Sequence, residues 1–169
     1  MKNKHSDSRG GRSIRRLLGL FFGIGLLVAP GLVAAEDQVF GDWRVECKQP
    51  QCHASQQLYV GEGDKRSRVL AASVMKVKDQ RVLQLVFPLG VDLRPGIVIR
   101  IDDSREQHFS FTTCVSDGCV ALLPLNSELY AGMKAGKVMK AGFRPFTSEQ
   151  TLVAELSLSG FTKASAKVR

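Results

Sequence analysis

The four cysteines carry the clearest chemistry in this sequence, and they form two pairs with the same spacing. Four residues separate Cys47 from Cys52, and four separate Cys114 from Cys119. Each pair flanks a stretch of turn-forming residues, Asp117-Gly118 in the second case, so two antiparallel strands would bring its sulfurs face to face. We predict that each pair closes a local disulfide and that no bridge joins one pair to the other.

Two other uses of these cysteines fit their spacing less well. Four thiolates could hold a zinc ion, but the usual zinc knuckle places two cysteines only two residues apart. A thiol-exchange enzyme would need the same Cys-x-x-Cys spacing to lower the pKa of one thiol. Because four residues intervene in both pairs, we interpret the cysteines as structural, and we predict no metal and no cofactor.

Only two histidines, His53 and His108, lie outside the N-terminal region. A Ser-His-Asp relay could be drawn through either one, but no nucleophile elbow or other local signature accompanies them. The acidic pair Asp102-Asp103 falls in a predicted turn, where aspartate favours the backbone geometry. We therefore interpret both histidines as surface residues and predict no catalytic residue.

The first 35 residues have the pattern of a secretory signal peptide. A basic start is followed by the apolar run Leu17–Ala29 and by small residues at Val33 and Ala35, the −3 and −1 positions of a cleavage site. An uncleaved anchor over 17–35 is the alternative, because this stretch is just long enough to span a bilayer. In both cases we expect the remainder, 36–169, to be exported as a single domain, either periplasmic or secreted.

The excess of positive charge belongs to this leader rather than to the exported part. The chain has 24 lysines and arginines against 16 acidic residues, a formal net charge of +8. Six of the basic residues and one acidic residue lie in the first sixteen positions, so the rest of the chain has 18 basic and 15 acidic residues. A nucleic-acid groove needs basic residues concentrated on one face. We therefore expect no nucleic-acid binding, and membrane contact only through an uncleaved leader.

Short alternating segments separated by turn residues predict an all-β domain. Along Ile97–Ile101, isoleucines alternate with a valine and an arginine, which is the pattern of a strand with one buried face. The central segment, Phe109–Leu125, is interpreted as one hairpin. The other predicted strands are 39–47, 52–60, 68–77, 81–87, 138–143 and 152–158, with a short basic tail after residue 161. Such a series is typical of an antiparallel β-sandwich or a flattened barrel.

One short helix is predicted near 127–135. Asn126 or the residue after it can cap the first turn, and Gly136 can close the last one. Leu129 and Met133 are four residues apart, so we expect them to pack together on one side of the helix.

Five sequence blocks, taken in order, resemble those of the invasion-associated locus B family. They are Gly41–Cys47, Leu85–Gly96, Ile99–Asp102, Cys114–Cys119 and Leu156–Phe161, and together they extend over nearly all of the exported part. The resemblance implies an exported, mostly β protein of Gram-negative bacteria, and the family name points to a link with host-cell invasion. It supplies no catalytic residues.

Three functional hypotheses follow from these patterns. The first is a non-enzymatic domain that binds an envelope component or a host-surface partner through loops at one end of the sandwich. The second is a periplasmic hydrolase acting on envelope glycan or peptide, in which His53 or His108 would meet a carboxylate and a hydroxyl. The third is a sandwich that holds a small apolar ligand between its sheets.

Overall fold

The computed structural model describes residues 37–48 and 50–169, and the expected signal peptide lies outside this part of the chain. The described part contains eleven strands and two α-helices, with one 3-10 turn at Gly63–Lys65. The strands are β1 (Gln38–Phe40), β2 (Trp43–Lys48), β3 (Gln51–Val60), β4 (Ser67–Val77), β5 (Gln80–Phe87), β6 (Ile97–Ile101), β7 (Gln107–Phe109), β8 (Thr113–Val115), β9 (Gly118–Pro124), β10 (Val138–Phe143) and β11 (Leu152–Ser157). The helices are α1 (Ser127–Ala135) and α2 (Phe161–Ser165).

The strands form two antiparallel sheets packed as a sandwich. The first sheet has seven strands in the order β1-β2-β3-β4-β5-β9-β8, and the second has four in the order β11-β10-β6-β7. Every pairing between named strands is antiparallel. The predicted sandwich is thus confirmed, since neither sheet of the described part closes into a barrel.

Alternation along the strands supplies the core. Leu83 and Leu85 of β5 face the interior from the first sheet, and Ile97 and Ile99 of β6 face it from the second; all four are at most 1% exposed. The same alternation on the other strands completes the packing. Large side chains that are fully buried with them are Trp43, Phe87, Phe161, Leu70, Leu123, Met133, Met139 and Leu156. These side chains occupy the interior, so an apolar ligand between the sheets would have to displace them.

Aromatic contacts join the two sheets. The Phe87 ring of the first sheet lies 5.1 Å from the Phe143 ring of the second, measured between centroids. Trp43 of β2 donates a hydrogen bond from Nε1 to the backbone oxygen of Ser157 in β11, at 3.0 Å. Its ring also packs edge-on against Phe161 of α2. Helix α2 is therefore part of the contact between sheets rather than an appendage.

Helix α1 begins and ends where the sequence predicts. The side chain of Asn126 accepts a hydrogen bond from the backbone N–H of Leu129, at 2.8 Å, and so caps the first turn. Leu129 and Met133 are both buried, as expected from their spacing. Gly136 ends the helix with an ordinary negative φ. Glycine is needed there for space, because a Cβ would overlap the side chain of Ile101.

Three predicted boundaries differ from the structure. The segment 39–47 is divided into β1 and β2 by a turn at Gly41-Asp42, in which the glycine has φ +57°. The predicted hairpin Phe109–Leu125 loses part of its first arm, because Phe109 ends β7 in the second sheet and only Thr113–Val115 pairs with β9. The start of the predicted basic tail is helical, as part of α2 (Phe161–Ser165), in which Ala164 and Ser165 are buried. Contacts between residues far apart in the sequence accompany these differences: Asp42 donates a backbone hydrogen bond to Ser159, Phe109 pairs with Ile97, and Phe161 packs against Trp43.

Candidate functional site

Loops from both sheets meet at one end of the sandwich, which we call the loop end. It consists of residues 61–66, 88–96, 116–117 and 144–151, which connect β3 to β4, β5 to β6, β8 to β9, and β10 to β11. An ion pair of 2.8 Å between Arg68 and Asp117 joins the first of these turns to the third. The opposite end holds α1 and the turns after β2, β4 and β6.

The two cysteine pairs lie at opposite ends of the sandwich. Cys114 and Cys119 are register partners on β8 and β9, with their Cα atoms 3.9 Å apart, and a disulfide joins them at the loop end. Cys47 and Cys52 are register partners on β2 and β3, with a Cα separation of 4.0 Å, and a second disulfide joins them at the opposite end. Because all four sulfurs are in disulfides at separate ends, they do not form a zinc site.

The two histidines are far apart in the fold. His53 lies on the outer face of the first sheet, with Nε2 at 3.7 Å from a carboxylate oxygen of Glu46. His108 is exposed on β7 of the second sheet, paired in register with Val98. The structure gives neither residue a hydrogen-bonded hydroxyl within the described ranges, and it brings together no three potential metal ligands there. In the described part, His53 thus meets a carboxylate but no hydroxyl, and His108 has no ion pair.

Exposed apolar side chains are concentrated at the loop end. Eleven large apolar residues of the described part are exposed, and eight of them lie in the loops of this end or in the strand ends beside them. The eight are Tyr59, Val60, Leu89, Leu93, Val115, Phe146, Leu152 and Val153. Extended exposed apolar surface on a protein often marks a site of interaction. The sandwich therefore has one end suited to contact with a partner.

A buried carboxylate organises the centre of this end. Asp92, in the loop after β5, accepts hydrogen bonds from the Nε and Nη2 atoms of Arg94 at 2.8 and 2.9 Å, and from its backbone N–H at 3.1 Å. It also accepts from Nη2 of Arg144, in the loop after β10. The bonds from the Arg94 and Arg144 side chains hold the pKa of the Asp92 carboxyl well below its ordinary value. The carboxylate is thus charged and joins two loops.

Backbone hydrogen bonds fix the same two loops to each other. The N–H of Asp92 donates to the oxygen of Arg144 at 2.7 Å, and the N–H of Phe146 donates to the oxygen of Gly90 at 2.7 Å. These two bonds form an isolated antiparallel bridge between Val91 and Pro145. The exposed side chains on these loops are therefore presented by a backbone with defined hydrogen bonds.

Two concave surfaces adjoin this pair of loops. The first, which we call the arginine cleft, has a volume of about 290 Å³ and is lined by Asp92, Arg94, Arg144, Phe146, Thr147, Ser148 and Glu149. The second is a largely apolar groove of about 460 Å³ between the sheets, lined by Leu58, Val60, Val69, Phe143, Leu152, Val153, Ala154 and Glu155. The loop 144–151 lines the cleft, and the residues that flank it in the chain, Phe143 and Leu152, line the groove.

Sequence reasoning placed the interaction surface in loops at one end but did not identify these residues. One part of the cleft could have been noticed in the sequence, because Asp92 and Arg94 are two residues apart in a loop with two prolines. Arg144, however, is 52 residues from Asp92, and nothing in the sequence indicates that their loops meet. The cleft is visible only once the two sheets have been packed together.

Comparison with known proteins agrees with this fold. The family model for the Invasion associated locus B (IalB) protein matches residues 43–169. This chain belongs to the invasion associated locus B family. The matched region includes both disulfides, α1, α2 and all four segments of the loop end.

Two curated relatives and one solved structure are similar to this chain. The relatives are invasion protein B homologs from Brucella abortus strain 2308 and from Brucella abortus biovar 1 strain 9-941. Each is 26% identical over 145 residues, which covers 83% of both chains. The crystal structure of invasion associated protein b from Bartonella henselae has a TM-score of 0.67 and 23% identity, covering 76% of this chain and 92% of that one. That likeness shows the fold of the family.

No helix long and apolar enough to cross a bilayer is found in residues 37–48 and 50–169. The two disulfides fit a protein that folds outside the cytoplasm, because thiols in the cytoplasm are kept reduced.

Proposed function

We propose that this protein is an exported, non-enzymatic binding protein of the bacterial envelope or cell surface, and that it holds its partner at the loop end. The observation that carries the proposal is that eight of the eleven exposed large apolar side chains of the described part lie in the loop end or in the strand ends beside it. Burying such side chains against a partner contributes about 25 cal/mol for each Å² removed from water. A partner of the bacterium or of its host would gain most of that free energy at this end, because only three of the exposed large apolar side chains lie elsewhere in the described part.

The chemistry of the loop end is that of an interface. Aromatic residues and arginines contribute most to the binding energy of protein interfaces, and Phe146 and Arg94 stand side by side here. The guanidinium carbon of Arg94 lies 5.9 Å from the centroid of the Phe146 ring. Because hydrogen bonds already hold both loops, little conformational entropy would be lost on binding.

Export is supported by the signal-peptide pattern of residues 1–35 and by the two disulfides. The similar proteins of Brucella abortus and Bartonella henselae are named for invasion. Contact with a host cell is one role that such a binding protein could serve, and maintenance of the envelope is the other. A deletion strain assayed for adhesion and for envelope integrity separates these two roles.

Site-specific crosslinking in intact cells tests the proposal directly. A photoreactive amino acid would replace Leu93, which is 46% exposed at the loop end, and in a second strain Val77, which is 48% exposed at the opposite end. We expect a defined covalent adduct from position 93 and none from position 77. Mass spectrometry then identifies the partner. Adducts from position 77 alone, or equal labelling of many proteins from both positions, would count against the loop end as the binding surface.

A further inference from the structure

We propose that the arginine cleft recognises a carboxylate side chain, held within an otherwise apolar segment of the partner protein. This inference rests on the proposed binding function and states the chemistry of the partner. The groups that carry it are the guanidinium groups of Arg94 and Arg144, the Asp92 carboxylate that holds them, and the exposed Phe146 beside them.

The guanidinium groups are oriented before any partner arrives. The side chain of Arg94 is 77% exposed, yet its Nε and Nη2 atoms both bind the buried Asp92. Arg144, which is 32% exposed, binds the second carboxylate oxygen of the same residue. An exposed arginine normally loses rotamer entropy when it binds a ligand. Here the intramolecular bonds have already restricted both side chains, so binding loses less.

Most of the donors of these arginines remain for another acceptor. Each guanidinium has five N–H groups, and the bonds to Asp92 use two from Arg94 and one from Arg144. Thr147 and Ser148 add hydroxyl groups to the lining of the cleft. The planar N–H fork of arginine matches a carboxylate in two parallel hydrogen bonds. A single carboxylate is therefore the acceptor that this set of donors fits best.

Exposed apolar side chains on the two loops that form the cleft indicate the character of the rest of the partner segment: Phe146 lines the cleft, and Leu89 and Leu93 lie in the loop that carries Asp92 and Arg94. Phe146 is 68% exposed, and Leu89 and Leu93 are 60% and 46% exposed on the facing loop. A partner surface made only of acidic residues would bury no apolar area against these three side chains. An acidic residue flanked by apolar residues would bury them while its carboxylate meets the arginines.

The charge balance of the loop end argues against a polyanion as the partner. Its four segments, together with Arg68 beside them, contain five basic residues (Lys65, Arg66, Arg68, Arg94 and Arg144) and five acidic ones (Glu62, Asp64, Asp92, Asp117 and Glu149). Nucleic acid, acidic polysaccharide and anionic membranes bind where basic residues are in excess. This end has no such excess, and it can attract one carboxylate only at short range, through directed hydrogen bonds.

Selection of peptides on the exported domain, residues 36–169 with both disulfides formed, tests this chemistry. Random linear peptides displayed on phage would be selected against the domain, and a selected peptide would be synthesised with its acidic residue or with the corresponding amide. We expect selected sequences to share an acidic residue between apolar ones. The amide version should bind at least about tenfold more weakly, because hydrogen bonds to a charged group are lost.

Variants of the protein show whether the cleft is responsible. Arg94→Gln and Arg144→Gln each leave the other arginine on Asp92, so the fold should survive; unchanged circular dichroism and a cooperative thermal transition verify this. Each should weaken binding of the acidic peptide at least about tenfold. Glu149→Gln should strengthen binding of the acidic peptide severalfold, since the substitution removes from the cleft lining a negative charge that repels the peptide carboxylate. Arg68→Gln, at the same end but paired with Asp117 outside the cleft, is the matched control and should change it less than about twofold.

Two results would overturn the inference. One is a set of selected peptides without a shared acidic residue, and the other is an equal loss of affinity in Arg68→Gln and in the two cleft variants. The proposed function is tested separately by crosslinking from position 93. If that adduct persists in cells carrying Arg94→Gln and Arg144→Gln together, the loop end binds a partner but the carboxylate chemistry is wrong.

Discussion

The carboxylate of Asp92 and the guanidinium of Arg144 connect two loops that are 52 residues apart in the chain. One loop leaves the first sheet for the second, and the other connects two strands of the second sheet. The ion pair therefore stabilises the sandwich and also shapes its surface. Its contribution to stability can be measured from the pH dependence of unfolding.

Asp92→Asn should remove an acid-sensitive part of the stability. The pKa of this carboxyl is lowered in the folded protein, so its contribution is complete above its unfolded pKa, about 3.9, and is lost as the pH falls toward the folded value. The wild type should thus unfold at a higher temperature than the variant at about pH 6, with the gap narrowing toward about pH 2. Thermal unfolding of both proteins by circular dichroism measures this gap.

Asp79→Asn is the control for that series. Its carboxylate is fully exposed and lies 3.6 Å from the amino group of Lys76. Exposed ion pairs contribute little to stability, so its melting temperature should follow that of the wild type throughout. If the difference in melting temperature between the wild type and Asp92→Asn stayed constant with pH, the two arginines would not be lowering the pKa of the Asp92 carboxyl.

Removing the disulfides should cost similar and additive amounts of stability. Each bridge closes a loop between cysteines five positions apart, for which the loop-entropy model gives about 2 kcal/mol. The bridges lie at opposite ends, so replacing both pairs by alanine should lower the free energy of unfolding by about 4 kcal/mol in total. Urea unfolding measures this loss in three variants: one without the first disulfide, one without the second, and one in which all four cysteines are replaced.

A non-reducing peptide digest gives an independent check of that prediction. Mass mapping should find Cys47 linked to Cys52 and Cys114 linked to Cys119. A peptide joining the two pairs would contradict the local assignment, and so would a fourfold variant that loses much more than the two pairs do separately.

Gly160→Ala should destabilise the domain much more than Gly90→Ala. Both glycines have similar left-handed backbones, with φ of +83° and +87°, which cost about 1 kcal/mol for a residue with a Cβ. Around Gly90 there is open space, whereas a Cβ at Gly160 would overlap the backbone oxygen of Phe40. Overpacking should add about 1 to 3 kcal/mol to the second variant alone, measured by denaturant unfolding. Equal losses would show that β1 can move away from this turn.

Trp43→Phe should be more harmful when Gln56 is also changed. The backbone oxygen of Ser157 accepts from Nε1 of Trp43 at 3.0 Å and from Nε2 of Gln56 at 3.2 Å. Either donor alone can satisfy this oxygen, but the double variant with Gln56→Leu leaves it unpaired between the sheets. A double-mutant cycle should therefore show a coupling energy of about 1 kcal/mol. Strict additivity would mean that water replaces the missing donors.

Local patterns in the sequence were sufficient for much of the β-sandwich. The alternation of Ile97, Ile99 and Ile101 predicts a strand with one buried face, and all three side chains are buried. The polar cap at Asn126 and the spacing of Leu129 and Met133 predict α1 with its correct ends. These features depend on residues close in the sequence, where side-chain period and capping chemistry determine the outcome.

Features that depend on distant contacts were not predictable in the same way. The alternation around Phe109 and Phe111 is the same whether the strand joins one sheet or the other, so it could not show that the chain changes sheets there. Helix α2 had a signal in the apolar spacing of Phe161 and Ala164, both buried, but the lysines after Phe161 are interpreted only as a basic tail. The arginine cleft depends on Arg144 meeting Asp92, which only the packed sheets bring about.

Strands from separate parts of the chain complete the first sheet. β9 pairs with β5, although β6 and β7 come between them in the sequence and belong to the second sheet. A fragment ending after β5 would leave that strand as a bare edge, with no second layer over Leu83 and Leu85. Neither sheet can therefore be produced, deleted or inherited as an independent module. If the chain were cut between β5 and β6, the two fragments would reassemble only if β9 of the second fragment paired with β5 of the first.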